Sequence, residues 1–132
     1  MKVFVYRNLT KKCWSVKALS GPNKGRVIGH LDSLVLQDCE FRISEAGRQR
    51  VLREGKKYVH AGVVGTLLAG TEKDIGYKSE AFIAYNPRKY DSFVQKTFDV
   101  PNFTVKYSPI REAEYVSLRK DGFVTKGGSV NA

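Results

Sequence analysis

Three basic side chains in one short segment, Arg50, Arg53 and Lys57, point to the chemistry this chain can do. At about 100° per residue in a helix they fall within roughly 60° of one another, with Lys56 beside them. A face of guanidinium and ammonium groups forms charge-assisted hydrogen bonds with anions, and with phosphate above all. The plainer reading is a solvated helix surface, since short helices carry such charges to stay in water. A second segment, Tyr85-Asn86-Pro87-Arg88-Lys89-Tyr90-Asp91, sets two rings, an amide and two cations at the end of a strand. A ring can stack on a base, an Asn amide can read a base edge, and Arg or Lys can hold a phosphate. Tyr77 and Phe82, just upstream, add ring surface. The ordinary alternative is a core ring beside a common Asn-Pro turn. A third segment, Gly21-Pro22-Asn23-Lys24-Gly25-Arg26, has the glycines and cations of a phosphate cradle. It lacks the spacing of a Walker loop and no long helix follows it, so it reads as a hairpin loop.

Catalytic chemistry is not legible. A Cys-His nucleophile would need Cys13 or Cys39 beside His30 or His60, and nothing in the sequence places them together. Asp32, Asp38, Glu40, Glu45 and Glu54 are scattered, so no carboxylate pair emerges. The two cysteines lie in strand-like segments and read as free and buried. With the two histidines they give no metal-ligand spacing. No active site, metal or cofactor is expected.

Something must position the candidate residues. Ser44 followed by Glu45 reads as an N-cap with an acid in the first turn, and Gly55 as a stop, which predicts a helix over Ser44–Gly55. Gly47, Val51, Leu52 and Gly55 lie opposite the basic face and would pack. Alternation predicts strands over Val3–Tyr6, Cys13–Leu19, Val27–His30 and Leu34–Ile43 before this helix. Further strands are expected over Val59–Leu68, Ala81–Tyr85 and Phe103–Tyr107. Tyr115–Arg119 and Phe123–Thr125 flank a Lys120-Asp121-Gly122 turn. Tyr90–Phe98 is open between a helical turn and an edge strand. Ala69–Lys78 reads as a mobile loop, and the tail from Gly127 as frayed. The expected fold class is α+β, an antiparallel sheet curved around one central helix.

The 132 residues set one domain, 1–132. No apolar run approaches the length of a membrane span. The opening MKVFVYRNL is charged and strand-like, unlike a signal peptide, so a cytoplasmic location is expected. The formal charge is +10, from 23 basic and 13 acidic side chains. Cations recur at Lys11-Lys12, Lys24-Arg26, the central helix, Arg88-Lys89 and Arg119-Lys120. That bias selects anionic partners: nucleotides, nucleic acid or acidic proteins.

MKVFVYRNLTKKCWSVKAL, SEAGRQRVLREGKKYVHAGVVG and YNPRKYDSFV, together about half of the chain, resemble a family of small phage-encoded proteins, the Thoeris anti-defence sponges. The resemblance implies a non-enzymatic protein that sequesters a cyclic ADP-ribose signal, and in some members a cyclic oligonucleotide, within an infected bacterial cell. It also implies a homo-oligomer built from dimers, with basic pockets. No pocket residue matches the family letter by letter, so the candidates come from the residues themselves. Arg53, Lys56 and Lys57, on the face that Arg50 shares, would meet phosphates. Tyr77 or Phe82 would stack an adenine, Asn86 would bond its edge, and Arg88, Lys106 and Arg111 would complete the charge. The alternative is a small nucleic-acid-binding protein whose basic helix lies on a phosphate backbone.

Overall fold

Alternating apolar and polar residues along short segments dictate strands, and strands are what the chain forms. The computed structural model describes residues 1–8, 11–43, 61–85, 93–99 and 104–129. In chain order these are β1 (Lys2–Asn8), β2 (Cys13–Ala18), β3 (Val27–Leu31), β4 (Leu34–Ile43), β5 (Ala61–Leu67), α1 (Glu72–Ile75), β6 (Tyr77–Tyr85), β7 (Phe93–Asp99), β8 (Thr104–Pro109), β9 (Glu112–Leu118) and β10 (Val124–Ser129). All ten strands join one sheet in the order β3-β2-β1-β5-β4-β9-β10-β6-β7-β8, and every pairing is antiparallel.

The sheet is curled. Phe41 on β4 and Phe93 on β7 have ring centroids 4.6 Å apart. These strands are four places apart in the sheet, which in a flat sheet would separate them by about 19 Å. Trp14 on β2 donates its indole N–H to the Arg119 carbonyl just after β9 at 2.9 Å, again across four strand spacings. Arg7 reinforces the closure, with Nη2 donating to the Lys120 carbonyl at 3.4 Å and the guanidinium 5.1 Å from the Trp14 ring centroid. The concave side therefore meets itself and forms one core, in which Val3, Val5, Trp14, Val16, Leu36, Val63, Ile83, Val116, Leu118 and Val124 pack together. Each such side chain contributes about 1.5–3 kcal/mol by leaving water.

The expected α+β class is thus overturned. Among the described residues the core is built wholly from strand side chains, and the single helix has four residues, none of them buried. The reason is physical: alternate residues from eight strands already fill the inside of the curl, so the sheet needs no helix to cover its apolar side. The expected Ser44–Gly55 helix lies outside the described residues. The segment read as a mobile loop holds α1 and the start of β6, the open Tyr90–Phe98 stretch contains strand β7, and the tail stays paired to Ser129. The four opening strands stand as read, but β4 leaves the meander to pair with β5 and β9. No helix among the described residues is long and apolar enough to cross a membrane.

Candidate functional site

Along β9 the side chains alternate, with Val116 and Leu118 in the core and Tyr115 and Ser117 on the convex face. Ser117 stands opposite Val35 on β4 and Thr125 on β10, and all three are buried. α1 lies against this row. So short a helix persists because its ends are closed. The Thr71 hydroxyl accepts from the Asp74 amide, while the Asp74 carboxylate accepts from the Thr71 amide at 2.9 Å. The bond from the Thr71 amide, and a second in which the Thr71 hydroxyl donates to the same carboxylate oxygen at 3.1 Å, hold the Asp74 carboxyl below the usual aspartate range. Gly76, at φ 73°, turns the chain back into β6.

That placement brings Glu72 over the sheet. Its Oε1 accepts from the Ser117 hydroxyl and from Arg119 Nε at 3.2 Å. Tyr77 follows on β6, where its hydroxyl and Thr125 Oγ1 share a 2.7 Å hydrogen bond. Burial raises the Tyr77 hydroxyl above the ordinary phenol range, outweighing the Thr125 bond. Its ring passes over Gly127, where a Cβ would lie 3.0 Å from Tyr77 Cε2 and 2.1 Å from the Lys78 carbonyl oxygen. Only glycine fits there.

Beside the Glu72–Ser117 contact opens a cleft of about 410 Å³, lined by Ser33, Leu34, Val35, Thr71, Glu72, Lys73, Ser117, Arg119 and Lys120. Among the described residues three cations face one carboxylate that Arg119 already engages, so their sum is net positive. Its volume falls within the range of small-molecule sites, which run from about 300 to 1,000 Å³. Hydroxyls from Ser33, Thr71 and Ser117 add neutral hydrogen-bonding groups, and Leu34 and Val35 an apolar wall. The Arg119–Glu72 pair, with side chains 37% and 36% exposed, is worth about 1 kcal/mol at most and can open to a competing anion. A second cavity of about 470 Å³ is walled by Asp38, Glu40, Glu112 and Glu114 and repels anions.

Of the residues expected from sequence, Tyr77 lies beside this site, within electrostatic reach of Glu72 and Arg119, but does not line the cleft. Phe82, 53% exposed, stands opposite Thr125 on the same face of the sheet, two strand spacings or about 10 Å from Ser117. Arg111 is exposed at the far end of β9 from Arg119. Lys106, opposite Thr97, lies on β8, the strand that forms the sheet's edge opposite β3. Arg50, Arg53, Lys56, Lys57, Asn86 and Arg88 lie outside the described residues. Lys73, Glu72 and Ser117 escaped the sequence reading. Thr71 and Asp74, three residues apart, spell the capping motif that would have exposed α1.

The structure also brings together a pair the sequence kept apart: Cys13 Sγ lies 3.8 Å from His30 Nδ1. The neighbours decide what the pair can do. Lys11 Nζ, which can only donate, is 3.4 Å from His30 Nε2, so that nitrogen accepts. Nδ1 then carries the proton and donates to Ser15 Oγ at 3.1 Å. Both ring nitrogens thus have partners besides the thiol, and the cluster ties β2 to β3 structurally. Both cysteines are free and buried, and burial pushes the Cys39 thiol up to about 12.

The profile of one protein family, described as "Mycobacterium phage L5 gene 82 protein", matches residues 1–126. The "Gene 82 protein" of Mycobacterium phage L5 is 42% identical over 108 residues, covering 76% of this chain and 82% of that protein. No solved structure matches.

Proposed function

The chain belongs to the family of the mycobacteriophage L5 gene 82 protein, a family of small phage proteins; on the geometry of the cleft beside α1, we propose that it binds a small phosphate-bearing ligand there and holds it without turnover. The observation that carries this reading is the convergence of Lys73, Arg119 and Lys120 on one cleft of about 410 Å³, opposed among the described residues by Glu72 alone. Charge-assisted hydrogen bonds to phosphate oxygens supply the affinity, and the wall of Leu34 and Val35 limits the water that competes with them. Binding of this kind needs no general acid or base.

The ligand class is a nucleotide-like signal. The resemblance to Thoeris anti-defence sponges makes a cyclic ADP-ribose isomer the form to test first and cyclic oligonucleotides the second. Tyr77 and Phe82, on the cleft's side of the sheet, and the exposed Phe123, whose carbonyl accepts from the Arg119 amide at 2.9 Å, are the rings available to a base held there. Sequestration in the cytoplasm of an infected host cell, by a homo-oligomer, completes the reading.

Isothermal titration with cyclic ADP-ribose isomers tests it. Arg119→Ala removes a charged donor and leaves Glu72 facing the ligand, so affinity falls by about 10- to 150-fold, the equivalent of ~1.5–3 kcal/mol. Glu72→Gln keeps an acceptor for the Ser117 hydroxyl, removes the competing charge and releases Arg119, so affinity rises. Wild-type protein that binds none of these ligands, or an Arg119→Ala protein that binds them normally, refutes the site.

A further inference from the structure

The charge of this chain is unevenly placed. Residues 1–37 hold seven cations against the single acid Asp32, a net +6 of the chain's +10. All seven cations precede Val27 and belong to β1, β2 and the turns on either side of β2, toward one edge of the sheet, whereas Ser33, Leu34 and Val35 later in the segment line the cleft. Arg7 is turned onto Trp14, but Lys11, Lys12, Lys24 and Arg26 are exposed and Lys17 is half-buried. Lys11 and Lys12 precede β2. Lys24 and Arg26 sit at its other end, fixed where the Gly25 amide donates to the Ala18 carbonyl at 2.8 Å and the Ala18 amide to the Arg26 carbonyl at 3.0 Å. Lys17 lies between them. The six residues of β2 set the two cation pairs about 17–20 Å apart.

We infer that this edge is a docking surface for the phosphate backbone of a nucleic-acid duplex. A duplex advances by about 3.4 Å along its axis per base pair, so a 17–20 Å row lies along about half a helical turn, over which phosphates of both strands come to the protein's side. Five cations in that span match four or five phosphates. The surface offers little to read or stack bases. Phe4 and Trp14, the large rings of β1 and β2, are 5% and 1% exposed, and Tyr6 is half-buried. Contact through phosphates alone favours a stiff duplex over a single strand and carries no sequence preference. The exposed Val27, Ile28 and Leu31 on the edge strand β3 raise a second copy of the chain as a rival occupant. Joining two copies there would bring two +6 segments together, so charge selects the polyanion.

The test is binding of a 20-base-pair duplex followed by fluorescence anisotropy from 50 to 200 mM salt. Four or five phosphate contacts give a slope of log K against log salt near −4, an affinity loss of about 150- to 500-fold over that range. Lys24→Ala with Arg26→Ala removes two contacts, so the slope becomes shallower by about 2. Backbone bonds hold that loop, and an unchanged thermal midpoint confirms an intact fold. Arg119→Ala with Lys120→Ala, in the cleft, leaves duplex binding unchanged. Absence of duplex binding at 50 mM salt, an unaltered slope in the loop variant, tighter binding of a single strand of the same length, or loss of binding in the cleft variant overturns the inference.

Discussion

Replacing Trp14 with Phe attacks the closure of the sheet at one bond. The indole N–H that reaches the Arg119 carbonyl at 2.9 Å disappears. That carbonyl still accepts from the Gly122 amide at 2.9 Å, so it is not orphaned, and the lost bond costs about 1 kcal/mol. Trp14 is 1% exposed, and the smaller ring leaves a void that adds about 1–2 kcal/mol. The sum is about 2–3 kcal/mol. For a chain of this length that lowers the thermal midpoint by roughly 8–12 °C. Far-UV circular dichroism during heating reads the shift, and urea titration with an unchanged slope shows that stability, not compactness, has moved. The chain has one tryptophan, so the wild-type protein reports its own unfolding by a red shift in emission. Because Trp14 anchors the backbone of Arg119, ligand affinity in the cleft falls as well. A midpoint within 2 °C of wild type would refute the claim that this contact holds the curl.

Gly127→Ala places a Cβ 2.1 Å from the Lys78 carbonyl oxygen, a backbone atom that no rotamer change can move, and destabilises by at least about 1–3 kcal/mol; chemical denaturation measures it. Native protein at pH 8 leaves Cys39 unreacted with Ellman's reagent over minutes, whereas denatured protein exposes two thiols. Burial raises this thiol from 9.0 to about 12, so the native state keeps a proton that the unfolded chain releases above pH 9. Its contribution to stability is whole below pH 9 and is lost as pH rises from 9 toward 12, which denaturant midpoints across that range would follow.

Much of the sheet was legible because edge-to-core alternation is a local signal. Val3, Val5, Trp14 and Val16 announce a two-residue period, and the structure puts all four in the core. What failed was the inference from a basic amphipathic segment to a central helix. A helix is needed only where a sheet leaves its apolar face uncovered, and whether a sheet curls onto itself depends on pairings such as β4 with β9, which are remote in sequence. The cleft was partly hidden for the same reason. Arg119-Lys120 was visible as a cation pair, but Glu72 and Lys73 come beside it only because α1 packs on β9, some 45 residues away in sequence. The Cys13–His30 contact depended on the β2–β3 register, in which Ser15 opposes His30.

The most direct test of the account is a native mass spectrum of the protein after incubation with a cyclic ADP-ribose isomer. The account predicts one ligand retained per chain, recovered unaltered on heating, and lost in the protein carrying Arg119→Ala and Lys120→Ala. Protein that retains no ligand, or a ligand recovered with a changed mass, would contradict it.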